Sequence, residues 1–183
     1  RRRHDRRVGM KARRQVDTGD MLFGRRTRQN HALEHATVTL LSRTLPELNA
    51  SARSNARGFI IFADIPLADV RNASDEALRR LQAGESELAI HPNCGTNLAV
   101  GLSVVMVGSL LALTALRPRT RVATVAAGSV AGFAVARPVG TLMQRYVTTL
   151  PDVHDVRIRS VRRRRFFGRW VIEVQTETAP HAD

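Results

Sequence analysis

The stretch NLAVGLSVVMVGSLLALTAL (97–116) contains twenty residues without a single charged side chain. A helix rises about 1.5 Å per residue, so a helix of this length spans roughly 30 Å, the thickness of the hydrocarbon core of a bilayer. We therefore predict an integral membrane protein, with the lipid bilayer as its first partner. The segment directly before the stretch, HPNCGTN (91–97), is then expected at the boundary between water and lipid.

A second apolar segment follows after a short cationic turn, RPRTR (117–121). Its uncharged part, VATVAAGSVAGFAVA (122–136), spans only roughly 22 Å as a helix. It becomes long enough to cross a bilayer if it continues past Arg137 to Met143, because an arginine near a helix end can extend its charge to the interface. Together the segments predict a helical hairpin over 97–143, transmembrane or re-entrant. The alternative is a buried hairpin in a soluble bundle.

Small residues recur at helical spacing in both apolar segments, and they are Gly101, Gly108, Ala112, Gly128, Gly132 and Ala136. Such faces let transmembrane helices approach closely, so they predict contact with another membrane protein or a homo-oligomer. Both tails are basic and Cys94 is a lone cysteine. These features favour a multi-pass membrane protein with both termini in the cytoplasm, although the arginines of the turn favour the opposite orientation.

The positive charge is concentrated at the start of the chain. Of the formal net charge of +13, +8 belongs to residues 1–30. Residues 1–26 show almost no apolar periodicity, so we predict a disordered basic arm that is either solvated or attracted to anionic lipid. Nucleic acid as a partner would rest on this charge alone, and the sequence does not favour it.

Between the arm and the apolar segments, residues 27–96 predict an α+β region. Leucine and alanine at helical spacing predict a helix over 28–45, capped by Thr27 or Asn30. The segment RGFIIF (57–62) predicts a short strand, and Ser74 is a candidate N-cap of a second helix.

The remaining residues, 144–183, predict a β-hairpin over 153–177 and a short tail, because apolar and polar residues alternate there. The fold class that follows is an α+β membrane protein. It combines a two-helix transmembrane or re-entrant hairpin with a small helix–strand unit before it and a C-terminal β-hairpin after it.

The first predicted helix carries the pattern HALEH, in which His31 and His35 are four residues apart and Glu34 lies beside them. Two imidazoles at this spacing project from one face of a helix and can share a zinc ion. The pattern H-x-x-E-H resembles the inverzincin metallopeptidases. That resemblance implies that His31 and His35 are ligands, that Glu34 is the general base, and that a downstream glutamate is the third ligand, for which Glu85 and Glu87 are available.

The junction HPNCGTN contains a second group of possible ligands, His91 and Cys94. Thiolate with imidazole suits zinc. Four ligands, His31, His35, His91 and Cys94, would make a closed structural site, whereas three would leave a position open for water.

Three other interpretations of these residues remain open. The histidines could form a hydrogen-bonded polar core without metal. Cys94 could be a nucleophile with His91 or His35 as its base. The junction could simply be a turn in which Thr96 or Asn97 caps the first apolar helix.

The combined motifs resemble an uncharacterised bacterial family of small membrane proteins, a domain of unknown function. The resemblance is carried over residues 28–178 by HALEHAT, a GF strand, GE-x-x-LAIHPNCGTN, the apolar helices and VTTLPDV, and it implies membrane location without an activity. The residues themselves favour a membrane protein with a candidate zinc site at the bilayer surface. If that site is catalytic, the reaction expected of it is the hydrolysis of a peptide or amide bond, with Glu34 as the base. The alternative is a non-enzymatic membrane scaffold or assembly factor in which the same cluster is structural.

Overall fold

The chain combines helices with one antiparallel sheet, and two apolar helices extend from this unit. The structure, a computed structural model, describes residues 18–92, 94–115 and 118–179. The elements are α1 (Thr18–Phe23), α2 (Arg25–Thr44), β1 (Ser51–Asn55), β2 (Gly58–Phe62), α3 (Leu67–Gln82), α4 (Gly95–Ala115), α5 (Pro118–Met143), β3 (Val156–Phe166) and β4 (Arg169–Thr178). A 3₁₀ turn (Ser86–Ala89) precedes α4, and a π-helical turn (Gln144–Thr148) continues α5.

The sheet has the strand order β1-β2-β4-β3, and each neighbouring pair is antiparallel. The C-terminal β-hairpin is confirmed as β3 and β4. The sequence analysis missed β1, because its residues, SARSN, show no alternation of apolar and polar side chains. At the start of β2, Gly58 has φ 144°, and a Cβ there would lie 1.9 Å from the carbonyl oxygen of Val174. Only glycine permits this close approach of β2 to β4.

The core lies between one face of the sheet and the helices α2 and α3. Its largest fully buried side chains from these elements include Leu33 and Leu41 of α2, and Phe59, Ile61 and Ile172 of the sheet. Burying a side chain of this size contributes about 1.5–3 kcal/mol relative to leaving it in water. The helix that carries the HALEH pattern is therefore held in place by its apolar neighbours.

The helix starts differ from those predicted. The first long helix begins at Arg25, after Gly24, and Asn30 lies buried inside it, where its side-chain amide donates to the carbonyl of Asn55 at 2.8 Å. The second begins at Leu67 rather than at Ser74, which is fully buried within it. A side chain can cap a helix only from the residue at which the helix begins. The helix α3 begins directly after Pro66, so Ser74 in its interior cannot cap it.

The predicted basic arm is only partly described. Residues 1–17 lie outside the described residues, so the structure gives no account of them. Residues 18–26 are in or next to helices, because α1 covers Thr18–Phe23 and α2 begins at Arg25. Arg28 fixes α1 against α2 by an ion pair with Asp20 at 2.8 Å.

The two apolar helices pack against each other as a hairpin. A Cβ at Gly132 would lie 2.9 Å from Val105, and one at Gly101 would lie 3.0 Å from Ala136, so the small residues allow this contact. Only 17% and 11% of the residues in the most apolar windows of the two helices are buried. Both helices are long and apolar enough to span a membrane.

A buried polar cluster joins the base of the hairpin to the junction before it. The amide of Gln144 donates to Asn97 at 2.9 Å and accepts the backbone N–H of His91 at 2.9 Å. Asn97 in turn donates to the carbonyl of Pro92 at 2.6 Å. Since each of these polar groups is satisfied by the others, the cluster fixes the junction relative to α4 and α5.

Candidate metal centre

The histidines of α2 and the cysteine of the junction meet in space. One ligand atom from each of His31, His35 and Cys94 lies within 4.8 Å of the other two. The two histidines share a face of α2 because they are four residues apart, and Cys94 directly precedes α4. This geometry could hold a metal ion.

Each histidine is oriented by a backbone carbonyl. Nδ1 of His31 lies 3.0 Å from the carbonyl oxygen of Thr148, and Nδ1 of His35 lies 2.7 Å from that of Ala89. A carbonyl oxygen can only accept, so Nδ1 carries the proton in both rings and Nε2 keeps its lone pair. Histidines that bind metals are held in this way by a hydrogen bond from the other ring nitrogen.

The distance between two of the ligand atoms fits a tetrahedral zinc ion. Nε2 of His31 lies 3.6 Å from Sγ of Cys94. Typical zinc–sulfur and zinc–nitrogen bonds at a tetrahedral angle place these atoms about 3.6 Å apart as well. In the absence of metal the same distance suits a thiol hydrogen bond, with Cys94 donating to Nε2.

Burial keeps the ligands uncharged in the absence of metal. It lowers the pKa of His35 to about 3, with a further contribution from the neighbouring His31, and it lowers the pKa of His31. Burial also raises the pKa of the Cys94 thiol. Both imidazoles are therefore available as neutral ligands at pH 7, and a metal would have to displace the thiol proton.

Glu34 lies among these groups but outside the set of three. Its side chain is 7% exposed, and its Oε2 has no hydrogen-bond partner among the described residues. Burial raises its pKa to about 7, an effect that a hydrogen bond with Ser54 opposes. A carboxyl group with a pKa near neutrality can both accept and return a proton.

His91 and the two downstream glutamates are placed differently from the three ligands. The ring of His91 lies 5.9 Å, centroid to centroid, from that of His35, and it borders the same cavity from outside the set of three. Glu85 pairs with Arg80, and Glu87 pairs with Arg145 at the surface. The third possible ligand beside the two histidines is therefore Cys94, and neither of these glutamates belongs to the group.

The site opens into a cavity of about 1330 Å³. Its lining includes His31, Glu34, His35 and Cys94, and it extends along β1 and along the first turns of α4. The three possible ligands and Glu34 therefore border one and the same cavity. Sequence reasoning could not have found the carbonyls of Thr148 and Ala89, since a backbone group has no residue-type signal.

Comparisons with known proteins support the resemblance to an uncharacterised bacterial family. A family model described as a domain of unknown function (DUF6391) matches residues 26–161. An uncharacterized protein of Picosynechococcus sp. (strain ATCC 27264 / PCC 7002 / PR-6) is 32% identical in a match over 133 residues that covers 67% of this chain and 65% of that protein. No solved structure matches the chain. The resemblance to inverzincin metallopeptidases is not confirmed by these comparisons.

Proposed function

We propose that this chain, which belongs to the family described as a domain of unknown function (DUF6391), is a membrane-anchored zinc hydrolase that cleaves a peptide or amide bond. The observation that carries the proposal is the group of His31, His35 and Cys94 beside Glu34 at an open cavity. Catalytic zinc sites have three protein ligands and keep one position open, whereas structural sites have four.

The ligand types favour zinc over other ions. One thiolate and two imidazoles form a soft to intermediate set, and carboxylate-preferring ions such as magnesium or calcium would not select it. Bound zinc would lower the pKa of a coordinated water molecule to about 7.

Glu34 would take the proton of the attacking water and later return it to the leaving amine. In the metal-free protein burial raises its pKa to about 7, which shows that its surroundings can hold a proton on this carboxyl group near neutral pH. The carbonyls of Thr148 and Ala89 would keep the two imidazoles in their orientation throughout.

The membrane part of the proposal rests on the exposed surface of the helical hairpin formed by α4 and α5. Large apolar side chains such as Leu110, Leu111 and Phe133 are about 60% exposed there. A soluble monomer rarely exposes so continuous an apolar surface, whereas lipid covers it without cost. We place the hairpin in a bacterial inner membrane and, from the basic tails, both termini in the cytoplasm.

Metal analysis of the detergent-purified full chain tests this function. We expect about one zinc ion per chain in the wild type, and less than about a tenth of that in His35→Ala and Cys94→Ala, because two ligands bind zinc far more weakly than three. Glu34→Gln should retain the zinc, since Glu34 is not among the three ligands.

Activity measured on a library of quenched fluorescent peptides then separates catalysis from structure. We expect Glu34→Gln to lower the hydrolysis rate by roughly 10²–10⁴-fold at unchanged zinc content. A wild type without zinc at neutral pH would disprove the metal site. Zinc bound without any hydrolysis would instead favour the non-enzymatic scaffold.

A further inference from the structure

We infer that the substrate is an extended, apolar polypeptide segment that pairs as an added strand with the free edge of β1. This inference rests on the proposed hydrolase function, and it adds the class of substrate and the way in which the substrate is held. Three observations support it: the register of β1, the course of the cavity along β1, and the composition of the lining that the α4–α5 hairpin contributes.

The register of β1 leaves backbone groups free at its outer edge. β1 lies at the end of the strand order, and among the described strands it pairs with β2 alone. Asn55 and Gly58 flank the two-residue loop between these strands, so this pair exchanges both of its hydrogen bonds. Such pairs alternate along an antiparallel ladder, and the N–H and C=O groups of Ala52 and Ser54 therefore point away from β2.

The cavity runs along this edge. The consecutive residues 48–54 all line it, and so do His31, His35 and Cys94. Successive side chains of a strand point to opposite faces of the sheet, so a run of neighbours can border one cavity only if the cavity follows the strand edge. Glu34 is bound directly to this strand through its hydrogen bond with Ser54.

The lining that the α4–α5 hairpin contributes to the cavity is largely apolar. It includes Ala99, Val100 and Val104 of α4 and Val139 of α5. These residues lie within the two segments that are apolar enough to span a membrane. A substrate in the cavity would meet the hydrogen-bonding groups of the β1 edge and the apolar side chains of the hairpin.

An apolar peptide can interact favourably with both the β1 edge and the apolar lining, whereas an acyl chain can interact favourably only with the apolar lining. A lipid chain against β1 would remove water from the N–H and C=O groups of the strand edge without replacing its hydrogen bonds, which is unfavourable for each group. An added strand supplies those bonds and alternates its side chains toward the hairpin.

Peptide binding to the zinc-loaded Glu34→Gln protein in lipid nanodiscs tests the inference. The probe is a fluorescent peptide of nine alternating valines and threonines with a lysine at each end. Its counterpart carries N-methyl groups on two adjacent central nitrogens, so that neither edge can pair there. We expect the N-methylated peptide to bind about ten-fold more weakly, because it loses backbone hydrogen bonds to β1. Equal affinities would overturn the inference.

A pair of proline variants tests whether the peptide pairs with β1 or with the opposite edge strand, β3. Ala52→Pro removes an N–H that points into the cavity and leaves the ladder with β2 intact, so it should weaken binding of the unmodified peptide about five- to ten-fold. Arg165→Pro makes the same change in β3, the opposite edge of the sheet, and should leave affinity unchanged. Should Ala52→Pro fail to fold, the comparison of the two peptides still decides.

Zinc content and hydrolysis distinguish the inference from the function on which it rests. Missing zinc, or missing hydrolysis with zinc bound, would disprove the hydrolase irrespective of peptide affinity. Zinc-dependent hydrolysis with no effect of N-methylation or of Ala52→Pro would overturn only the strand pairing. Displacement of both peptides alike by a single-chain lysophospholipid would identify a lipid as the occupant and also overturn it.

Discussion

Glu34 shows how much the chemistry of one residue depends on its surroundings. The sequence places a carboxyl group one residue before His35, but only the fold buries it beside Ser54 and a cavity. Burial disfavours the charged form of a carboxylate and also that of an imidazole, so it raises the pKa of Glu34 and lowers that of His35. These opposite shifts have a consequence for stability that can be measured.

In the metal-free protein, Glu34 and His35 should affect stability in opposite directions as the pH changes. The pKa of Glu34 rises on folding from 4.5 to about 7, so its contribution is fully present below pH 4.5 and is lost as the pH rises toward 7. The pKa of His35 falls on folding from 6.5 to about 3, so its contribution is present above pH 6.5 and is lost as the pH falls toward 3. Between pH 4.5 and 6.5 the two effects cancel.

Glu34→Gln should remove one of these opposing effects. We expect its free energy of unfolding, relative to that of the wild type, to rise by about 3 kcal/mol between pH 4.5 and pH 7. Denaturant unfolding in detergent with a chelator present measures this difference. The exposed Glu47→Gln should follow the wild type at both pH values. A constant difference between Glu34→Gln and the wild type would contradict the buried, protonated state of Glu34.

At the scale of elements, the contact of α4 with α5 fixes the position of Cys94 in the candidate metal centre. The cluster of Asn97, Gln144 and His91 ties the base of the hairpin to the junction. Cys94 lies three residues before Asn97, and its backbone carbonyl accepts the N–H of Asn97 at 3.0 Å. A shift of α4 against α5 therefore moves the thiol relative to the two histidines.

Gly140 should be intolerant of any side chain for this reason. A Cβ there would lie 2.1 Å from Oδ1 and 2.8 Å from Cα of Asn97, so the backbone would have to move. We expect Gly140→Ala to lower stability by about 1–3 kcal/mol and to weaken zinc binding, as measured by thermal unfolding and by zinc titration in detergent. Gly128→Ala is the matched control, since a Cβ there meets nothing within 4 Å. An unchanged Gly140→Ala protein would refute the described packing.

At the scale of the whole molecule, the α4–α5 hairpin and the unit of sheet, α2 and α3 differ in where their apolar side chains lie. The sheet unit buries its apolar residues between α2, α3 and the strands, whereas the hairpin exposes them along both helices. A formal net charge of +13 would add attraction to an anionic bilayer surface if the hairpin lies in a membrane, as we propose. The candidate metal centre lies where these two parts meet.

Met106→Arg distinguishes a lipid environment from an aqueous one. Met106 is 67% exposed on α4 and lies near the middle of the candidate span Gly95–Thr114. In a bilayer an arginine near the middle of a helix costs about 2.5–3.5 kcal/mol, so we expect less of the variant in the membrane fraction after expression and flotation with vesicles. Met106→Ala should stay with the membrane. In a soluble protein the arginine would instead increase solubility, and an untagged wild type that remained monodisperse in plain buffer would exclude the membrane location.

The sequence by itself determined the local features of this protein. The long charge-free segments predicted the two apolar helices, alternation predicted the β3–β4 hairpin, and leucine and alanine at helical spacing predicted α2. Each of these signals is a periodicity within one segment, so it is visible without knowledge of the rest of the chain. The HALEH spacing likewise put His31 and His35 on one helical face.

Only the tertiary structure decided which groups meet. It gave β1 a place at the sheet edge although SARSN shows no strand pattern, because pairing with β2 and contact with α2 outweigh the local preference. It brought Cys94 to His31, placed His91 outside the group of three, and supplied the carbonyls of Thr148 and Ala89. These contacts join residues more than fifty positions apart, and their geometry depends on how buried elements pack, which no local pattern encodes.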